Sequence, residues 1–419
     1  MTRAFYTLLW WLAMPLVLLR LTWRARRQPD YLRHVAERFG QAPCSTERPI
    51  WLHAVSVGET RAAQPLIMAL LDRYPDHELL LTHMTPTGRT TGAELFGKHP
   101  RVKQSYLPYE LPWALRRFLR RAKPQFGIVM ETEIWPNLLA DTEAAEVPMM
   151  LANARLSARS AQGYLRLGRL AHEAVGRFDL IGAQGDADAQ RLKNLSAKKI
   201  VVTGNMKYDV RISTEMLARG AMFRTYCKHR YVLLAAITRD GEEELLLDAF
   251  AQHASAEILL VLVPRHPQRF DDVAQLIERR NLTLARRSQT TDIPDSTQVW
   301  LGDSMGEMVA YYRMADVAII GGSWLPLGGH NLIEACAVGV PVIVGPHTFN
   351  FAEAADNAID AGAALRCTDP SSAIIKAIEL FGDQGTRQKM AQAGIKFTAE
   401  HGGATERTLG LITEMNTGY

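Results

Sequence analysis

The stretch from residue 316 to 346 constrains the fold of this chain most, because it joins a buried strand to a helix through a glycine-rich loop. Residues 318–320 form an apolar run without polar alternation, which is typical of a strand covered on both faces of a parallel sheet. Glycine pairs follow at 321–322 and 328–329, and an apolar stripe over 332–338 predicts a helix. The helix therefore begins at the carboxyl edge of the sheet, where α/β proteins bind ligands.

Glu334 lies in the first turn of this predicted helix, three residues after Asn331. A carboxylate there can accept hydrogen bonds from both hydroxyls of a ribose while the loop amides hold a phosphate. The alternative is an ordinary turn, in which the acidic residue only complements the helix dipole. This motif alone leaves both interpretations open.

Strand and helix patterns alternate in two series, one over residues 50–203 and one from residue 231 onward. They predict an α/β fold with two doubly wound, Rossmann-like domains, which we expect to face a central cleft. The expected boundaries are 29–210 for the first domain, 211–230 for a polar linker and 231–419 for the second domain. A last helical stretch near 383–415 is a candidate to cross back onto the first domain.

An uncharged apolar segment at residues 4–19 predicts a membrane anchor within residues 1–28. A cleaved signal peptide carries its positive charge before the apolar run, whereas most arginines here follow it. The positive-inside rule then predicts that the rest of the chain lies on the cytoplasmic side. The segment is slightly shorter than a usual span of about 20 residues, so a spanning helix and a helix in one leaflet both stay open.

The cysteines and the basic residues narrow the functional class. Cys44, Cys227, Cys336 and Cys367 have no CxxC spacing, which predicts a reducing compartment without a disulfide framework or zinc site. The formal net charge is only +4, and we expect no nucleic-acid partner. A predicted helix at 111–123 places arginines on one side, where they face either anionic lipid or solvent; these are Arg116, Arg117, Arg120 and Arg121.

Three motifs in the first domain place charged residues after strands or strand-like runs. In HAVSVGET, Gly58 permits close backbone approach, and partial burial would raise the pKa of Glu59 toward that of a general base. A first-turn residue complementing the helix dipole is the alternative. Glu131 and Glu133 are predicted to share a strand face, which is unfavourable unless they share a cation, a proton or a hydrogen-bond donor. Lys207 is a candidate to neutralise a leaving phosphate.

Three loops of the second domain, at residues 264–267, 304–307 and 321–334, converge on one edge of the predicted sheet. Together they predict a nucleotide site, with Arg265 as a charged fork for phosphate. The sequence contains no Walker A motif and no DxD pair placed as a metal clamp. We therefore expect arginine, lysine and helix ends to meet the phosphate charge without a metal or other cofactor.

Read in order, a set of motifs resembles the Kdo (3-deoxy-D-manno-octulosonate) transferases over nearly the whole chain, including the anchor and its arginines. The motifs are SVGET, HMTPTGR, YLPYELP, METEIWPNLL, ANARLSARSA, TGNMKYD, VPRHPQRF, GDSMGEM, GGSWLPLGGHNLIEA and GPHTFNF. The resemblance implies a GT-B fold with an acceptor-binding first domain and a CMP-Kdo-binding second domain. It implies inverting transfer of Kdo from CMP-Kdo to a lipid A precursor, lipid IVA, at the inner face of the inner membrane.

The resemblance also implies residue roles. Glu59 would be the general base, and Glu131 or Glu133 together with Lys207 would support the transition state. The implied CMP contacts are Pro264, Arg265, Met305, Gly306, Glu307, Asn331, Leu332, Ile333 and Glu334, and the loop residues Gly322 and Ser323 are added as candidate contacts. Residues 324–327 depart from the more polar loop of the family.

Two other classes of function stay open at the level of sequence. One is another GT-B enzyme, either a glycosyltransferase with a different nucleotide or a nucleotide-sugar epimerase, although an epimerase does not need an anchor. The other is a non-catalytic membrane-associated scaffold, which leaves the ordered carboxylates and basic residues unexplained. Release of CMP from CMP-Kdo in the presence of a lipid A precursor would separate the three.

Overall fold

A computed structural model describes residues 1–43, 48–210, 212–289 and 292–417. The chain forms two compact units. Unit 1 comprises the chain up to Asp209 together with the C-terminal segment from Gly402, and unit 2 comprises Val210–His401. Cys227, Cys336 and Cys367 are free thiols, while Cys44 lies outside the described residues.

Unit 1 is built on a seven-stranded parallel sheet with strand order β3-β2-β1-β4-β5-β6-β7. Most of its strands are wholly buried, as apolar runs covered on both faces require. The strands are β1 Ile50–His53, β2 Leu79–His83, β3 Val102–Tyr106, β4 Phe126–Met130, β5 Met149–Ala154, β6 Leu180–Ala183 and β7 Ile200–Val202.

The helices of unit 1 connect these strands and flank the sheet. They are α1 Arg3–Ala25, α2 Val57–Ala62, α3 Gln64–Arg73, α4 Pro86–Phe96, α5 Pro112–Ala122, α6 Pro136–Ala144, α7 Ala158–Leu167, α8 Arg169–Val175 and α9 Asp186–Lys193, with 3-10 turns at Pro29–Leu32, Val35–Phe39 and Met206–Tyr208. The expected helix over 158–177 is two helices, because Gly168 interrupts it with a φ of +55°.

Unit 2 has a second seven-stranded parallel sheet, with strand order β10-β11-β9-β8-β12-β13-β14. Its strands are β8 Tyr231–Thr238, β9 Ile258–Pro264, β10 Leu284–Arg286, β11 Val299–Leu301, β12 Val317–Ile320, β13 Val342–Val344 and β14 Ala364–Arg366. Two parallel sheets with flanking helices confirm the predicted α/β fold class. Strands β10, β13 and β14, with three residues each, were not predicted from the sequence.

The helices of unit 2 include one in the segment expected to be a linker. They are α10 Thr214–Tyr226, α11 Glu242–His253, α12 Phe270–Arg279, α13 Met308–Met314, α14 Ile333–Val338, α15 Ala352–Asp360, α16 Pro370–Gly382 and α17 Gln384–His401, with a 3-10 turn at Pro267–Arg269. The linker prediction for 211–230 is wrong over α10, because Phe223 anchors this polar helix by packing on Trp300 and Tyr311. Arg211 lies outside the described residues.

Helix α1 packs one face on unit 1 and leaves an apolar face exposed. Met14 and Leu21 are buried, and the Thr7 hydroxyl donates to Asn137 Oδ1 at 2.9 Å. Among the described helices, α1 is long and apolar enough to cross a membrane. Its exposed large residues are Phe5, Leu8, Leu9, Trp11, Leu12, Leu16, Leu18, Leu19 and Trp23.

The last helix, α18 Ala404–Thr417, belongs to the core of unit 1. Ala404 and Ile412 are fully buried there, in the cluster that contains residues of α3 and β1. The Asp209 carboxylate fixes the start of α18, because it accepts hydrogen bonds from the amides of Gly403, Ala404 and Thr405. A single side chain thus anchors a helix that is distant in sequence.

Removing this carboxylate should loosen α18. We expect Asp209→Ala to lower the free energy of unfolding by about 1 kcal/mol, the usual loss for a helix cap, and to speed amide hydrogen exchange in α18. Asp76→Ala, at an exposed turn before β2, is the matched control. Unchanged exchange in α18 of the Asp209 variant would contradict this role.

Candidate active site

Glu59 lies in the first turn of α2, just after β1, where Ser56 forms the N-cap. Its two carboxylate oxygens accept hydrogen bonds from the Val55 amide at 2.8 Å and from the Ser56 hydroxyl at 2.9 Å. Burial raises the pKa of Glu59 to about 7, although both hydrogen bonds oppose the rise. The nearby charges of Glu133 and Glu131 raise it slightly further. The pKa of the Glu59 carboxylate therefore lies close to neutral pH.

Glu131 and Glu133 follow β4, and the structure brings both close enough to Glu59 to influence its pKa. Glu131 has a φ of +58°, which is rare for a residue with a side chain, and its amide donates to Ala152 O at 2.9 Å. The Lys207 ammonium lies 3.3 Å from Glu131 Oε1. Burial raises the pKa of Glu133, and the charge of Glu131 adds to this rise. Lys207 is thus a cation beside Glu131, which is one of the partners that the sequence left open for this pair of carboxylates.

Asn153, at the end of β5, holds the turn that carries Lys207. It is fully buried with a φ of +53°, and its Oδ1 accepts a hydrogen bond from the Met206 amide at 3.0 Å. Asn205 Oδ1 accepts from the Lys207 amide at 3.0 Å. Asn153 was not assigned a role from the sequence, although a polar residue ending an apolar strand run could have marked it.

Gly88 lets the first turn of α4 approach the turn that precedes Glu59. A Cβ at this position would lie 2.9 Å from Val55 O, which is too close for carbon and oxygen. The Thr85 hydroxyl donates to Val55 O at 3.1 Å and accepts from the Gly88 amide at 3.1 Å. The HMTPTGR motif therefore supports the backbone on which Glu59 is mounted.

In unit 2, the loop after β12 turns sharply at Gly322, which has a φ of +70°. The Glu242 carboxylate, fully buried at the start of α11, accepts from the Gly322 amide at 2.6 Å and from the Trp324 amide at 2.9 Å. This single side chain orders the glycine-rich loop. The role of Glu242 was not predicted from the sequence, because Glu242 lies 80 residues before Gly322 in the chain.

The first turn of α14 presents the other predicted nucleotide-binding residues. Asn331 Oδ1 accepts from the Ile333 amide at 3.0 Å, and Glu334 is half-buried one residue later. The side chains of Leu332 and Ile333 are buried, so only their backbone atoms are placed to contact a ligand. Arg265 follows β9, and its guanidinium lies 3.4 Å from His330 Nδ1.

The comparisons with known proteins agree along the chain. Residues 33–210 match the family model for 3-deoxy-D-manno-octulosonic-acid transferase, and residues 234–397 match the model for glycosyl transferases group 1. A 3-deoxy-D-manno-octulosonic acid transferase of Bordetella pertussis is 45% identical over 99% of both chains. This chain belongs to the Kdo transferase family. The predicted resemblance is confirmed.

Two further comparisons support the family and the fold. A 3-deoxy-D-manno-octulosonic acid transferase of Haemophilus influenzae is 38% identical over 98% of both chains. The structure of a glycosyltransferase from Rickettsia africae matches with a TM-score of 0.57 at 14% identity, covering 88% of this chain and 99% of that one. That likeness concerns the fold alone. The chain is accordingly a glycosyltransferase of the GT-B type.

Two predicted CMP contacts of this Kdo transferase have side chains that are already engaged within the protein. Ser323 is fully buried, and its hydroxyl donates to Ile320 O at 2.6 Å and accepts from the Gly345 amide at 2.9 Å. It shapes the loop and has no free side-chain atom for a ligand. The Glu307 carboxylate is likewise engaged, by Ser304, Arg219 and Arg287.

The GDSMGEM loop can therefore offer a ligand its backbone and not the Glu307 carboxylate. Gly306 has a φ of +79°, a conformation that side chains rarely adopt, and Met305 is 65% exposed. Pro264 is buried as the last residue of β9. Within the part of the chain that the structure describes, no group of three or more His, Cys, Asp or Glu residues is placed to hold a metal ion.

Proposed function

We propose that this Kdo transferase moves Kdo from CMP-Kdo to a hydroxyl of a lipid A precursor, lipid IVA, with inversion at the anomeric carbon. The observation that carries the proposal is the fixed orientation and raised pKa of the Glu59 carboxylate. Its carboxylate is oriented by two hydrogen bonds, and burial raises its pKa to about 7. A carboxylate with that pKa is a suitable general base near neutral pH.

In this mechanism the deprotonated Glu59 accepts the proton of the acceptor hydroxyl. The hydroxyl oxygen attacks the anomeric carbon of Kdo from the face opposite the phosphate, and the bond between that carbon and the phosphate oxygen breaks. CMP leaves with the bonding electron pair. The cationic Lys207, held 3.3 Å from Glu131 Oε1, supplies positive charge as negative charge develops in the transition state.

We assign the binding of CMP to the loops of unit 2. The backbone amides of residues 305–307 lie just before α13 and those of residues 331 and 332 just before α14, where amide dipoles favour a phosphate. Arg265 is the fork for the phosphate, and Glu334 accepts hydrogen bonds from the ribose hydroxyls. This arrangement meets the single phosphate of CMP without a metal.

We also propose that α1 lies in one leaflet of the inner membrane, with the two units on the cytoplasmic side. Its buried residues and the Thr7–Asn137 hydrogen bond tie α1 to unit 1. A helix held along the protein exposes only one apolar face, which suits an in-plane anchor better than a span. Residues of the basic α5 helix would add attraction to anionic lipid, with Arg116 already paired to Asp141.

Glu59→Gln should lower kcat by about 100-fold or more, because the amide cannot accept a proton, while CMP binding is retained. The native enzyme should lose activity below about pH 7, where Glu59 is protonated, and the residual activity of the variant should lack that dependence. Steady-state kinetics over pH 5–9 test both points. Glu94→Gln, exposed on α4, is the control, and near-native turnover by Glu59→Gln would refute the assignment.

Glu334→Ala should weaken CMP binding by roughly 1.5–3 kcal/mol, the range for hydrogen bonds that involve a charged group. Calorimetry with CMP measures this directly. Glu353→Ala removes a different first-turn acid of unit 2, which is exposed at the start of α15, and controls for a general effect of helix dipoles. Equal CMP affinity in native protein and Glu334→Ala would show that Glu334 only complements its helix.

The membrane proposal predicts that the exposed face of α1 binds lipid. Leu12, Leu16 and Leu19 are 67%, 68% and 65% exposed, and burying each in lipid contributes roughly 1.5–3 kcal/mol. Replacing all three by Gln should abolish co-sedimentation with anionic vesicles. Replacing Ile375 and Ile395, which are exposed in unit 2, by Gln is the control. Retained binding by the triple variant at both low and high salt would exclude α1 as the anchor.

A further inference from the structure

We propose that Arg239 binds the carboxylate of the donor sugar acid. This inference rests on CMP-Kdo being the donor. Arg239 directly follows β8, at the carboxyl edge of the sheet of unit 2 and next to the glycine-rich loop after β12. Sequence reasoning assigned it no role.

A β-bulge turns the chain immediately before Arg239. The pairing of β8 with β9 shifts register between Ala236 and Thr238, and Ile237 between them has a φ of +58°. A β-branched residue rarely adopts positive φ, and such strain collects at ligand sites. Bulges of this kind redirect the side chains that follow them.

The bulge and the glycine-rich loop are fitted to each other. A Cβ at Gly321 would lie 2.5 Å from Ile237 O and 2.7 Å from Thr238 Cα, so only glycine allows this approach. Thr238 O accepts a hydrogen bond from the Arg265 amide at 3.0 Å. The backbone of Arg239 is therefore adjacent to both the predicted phosphate-binding arginine and the loop after β12.

Glu242 links these parts through one carboxylate oxygen. Its Oε2 accepts from the Arg239 amide at 2.9 Å and from the Gly322 amide at 2.6 Å, and Oε1 accepts from the Trp324 amide. Because Glu242 is fully buried, these three hydrogen bonds are shielded from water. Arg239 is thus mounted on rigid backbone at the edge of the loop.

The charges around Arg239 favour an anion. In the ranges that the structure describes, the Arg239 guanidinium makes no hydrogen bond or ion pair, whereas Arg269 nearby is engaged by Glu243 and Asp240. Burial lowers the pKa of His330 to about 3, and the positive charges of Arg265 and Arg239 lower it further. The same arginines contribute to the lowered pKa of His266. The Arg239 guanidinium is therefore available to pair with an anion at the end of β8.

The donor has two anionic groups that match two guanidinium groups. The sugar named by the family is an octulosonic acid, whose carboxyl carbon is bonded directly to the anomeric carbon that carries the phosphate. With Arg265 on the phosphate, a second arginine on an adjoining strand end is placed for the carboxylate. A planar guanidinium binds carboxylate through two parallel hydrogen bonds. Arg239 would therefore select an acidic sugar over a neutral one.

The test separates donor binding from nucleotide binding. Arg239→Gln should raise the KM for CMP-Kdo by roughly tenfold or more, the loss expected for one charge-assisted contact, while the Kd for CMP changes less than about twofold. Arg239→Lys keeps the charge but loses the planar fork, so its KM should rise less, again with unchanged CMP affinity. Arg279→Gln, exposed on α12, is the control.

Two results would overturn the inference. An equal loss of affinity for CMP and CMP-Kdo would place Arg239 on the nucleotide or phosphate, and unchanged KM and Kd would exclude it from the donor site. Thermal unfolding of each variant shows whether it is folded, and Arg239→Lys provides the test if Arg239→Gln is not. Failure of the proposed function looks different, since the native protein would then transfer no Kdo from CMP-Kdo.

Discussion

Both parallel sheets are buried on two faces, and this burial determines where the Kdo transferase can place charged side chains. Strands such as β4 and β9 are apolar and buried throughout, because an unpaired charge inside them would be costly. In such buried strands, charged groups can appear only where the strand ends, whereas the partly exposed β3 carries Lys103 within the strand. Glu59, Glu131 and Arg239, to which we assign roles, all follow a strand directly or within one short turn, at the carboxyl edge of their sheet.

Local patterns predicted the groups that are mounted on a single strand-to-helix turn. Glu59, Glu131 and the loop after β12 belong to this class, because glycine, a cap residue and an apolar run are contiguous in sequence. The support from Glu242, the strained Ile237 and the buried Asn153 depends on contacts between distant segments, which no local pattern records. Helix α10 was missed for the same reason, since Phe223 packs against Trp300 of β11 and Tyr311 of α13, which are distant in sequence.

Glu110 and Glu59 are both glutamates with raised pKa values, but their surroundings differ. Glu110 accepts hydrogen bonds from the amides of Asn137 and Leu138 at the start of α6, and burial raises its pKa to about 7, as it does for Glu59. Yet Glu110 is almost completely enclosed, whereas Glu59 remains partly accessible. The perturbed pKa alone therefore does not identify the base. Glu59 differs from Glu110 in being partly accessible, as its proposed role as general base requires.

The place of α18 in the core of unit 1 has a consequence for synthesis. A ribosome makes the chain from the N-terminus, so residues 1–209 emerge long before Ala404 and Ile412, which complete their core. Unit 2 is contiguous and can fold as it emerges, whereas unit 1 must wait for the final segment. Unit 1 is therefore synthesised first but completes its core last. A premature stop codon that removes α18 would leave the core of unit 1 incomplete.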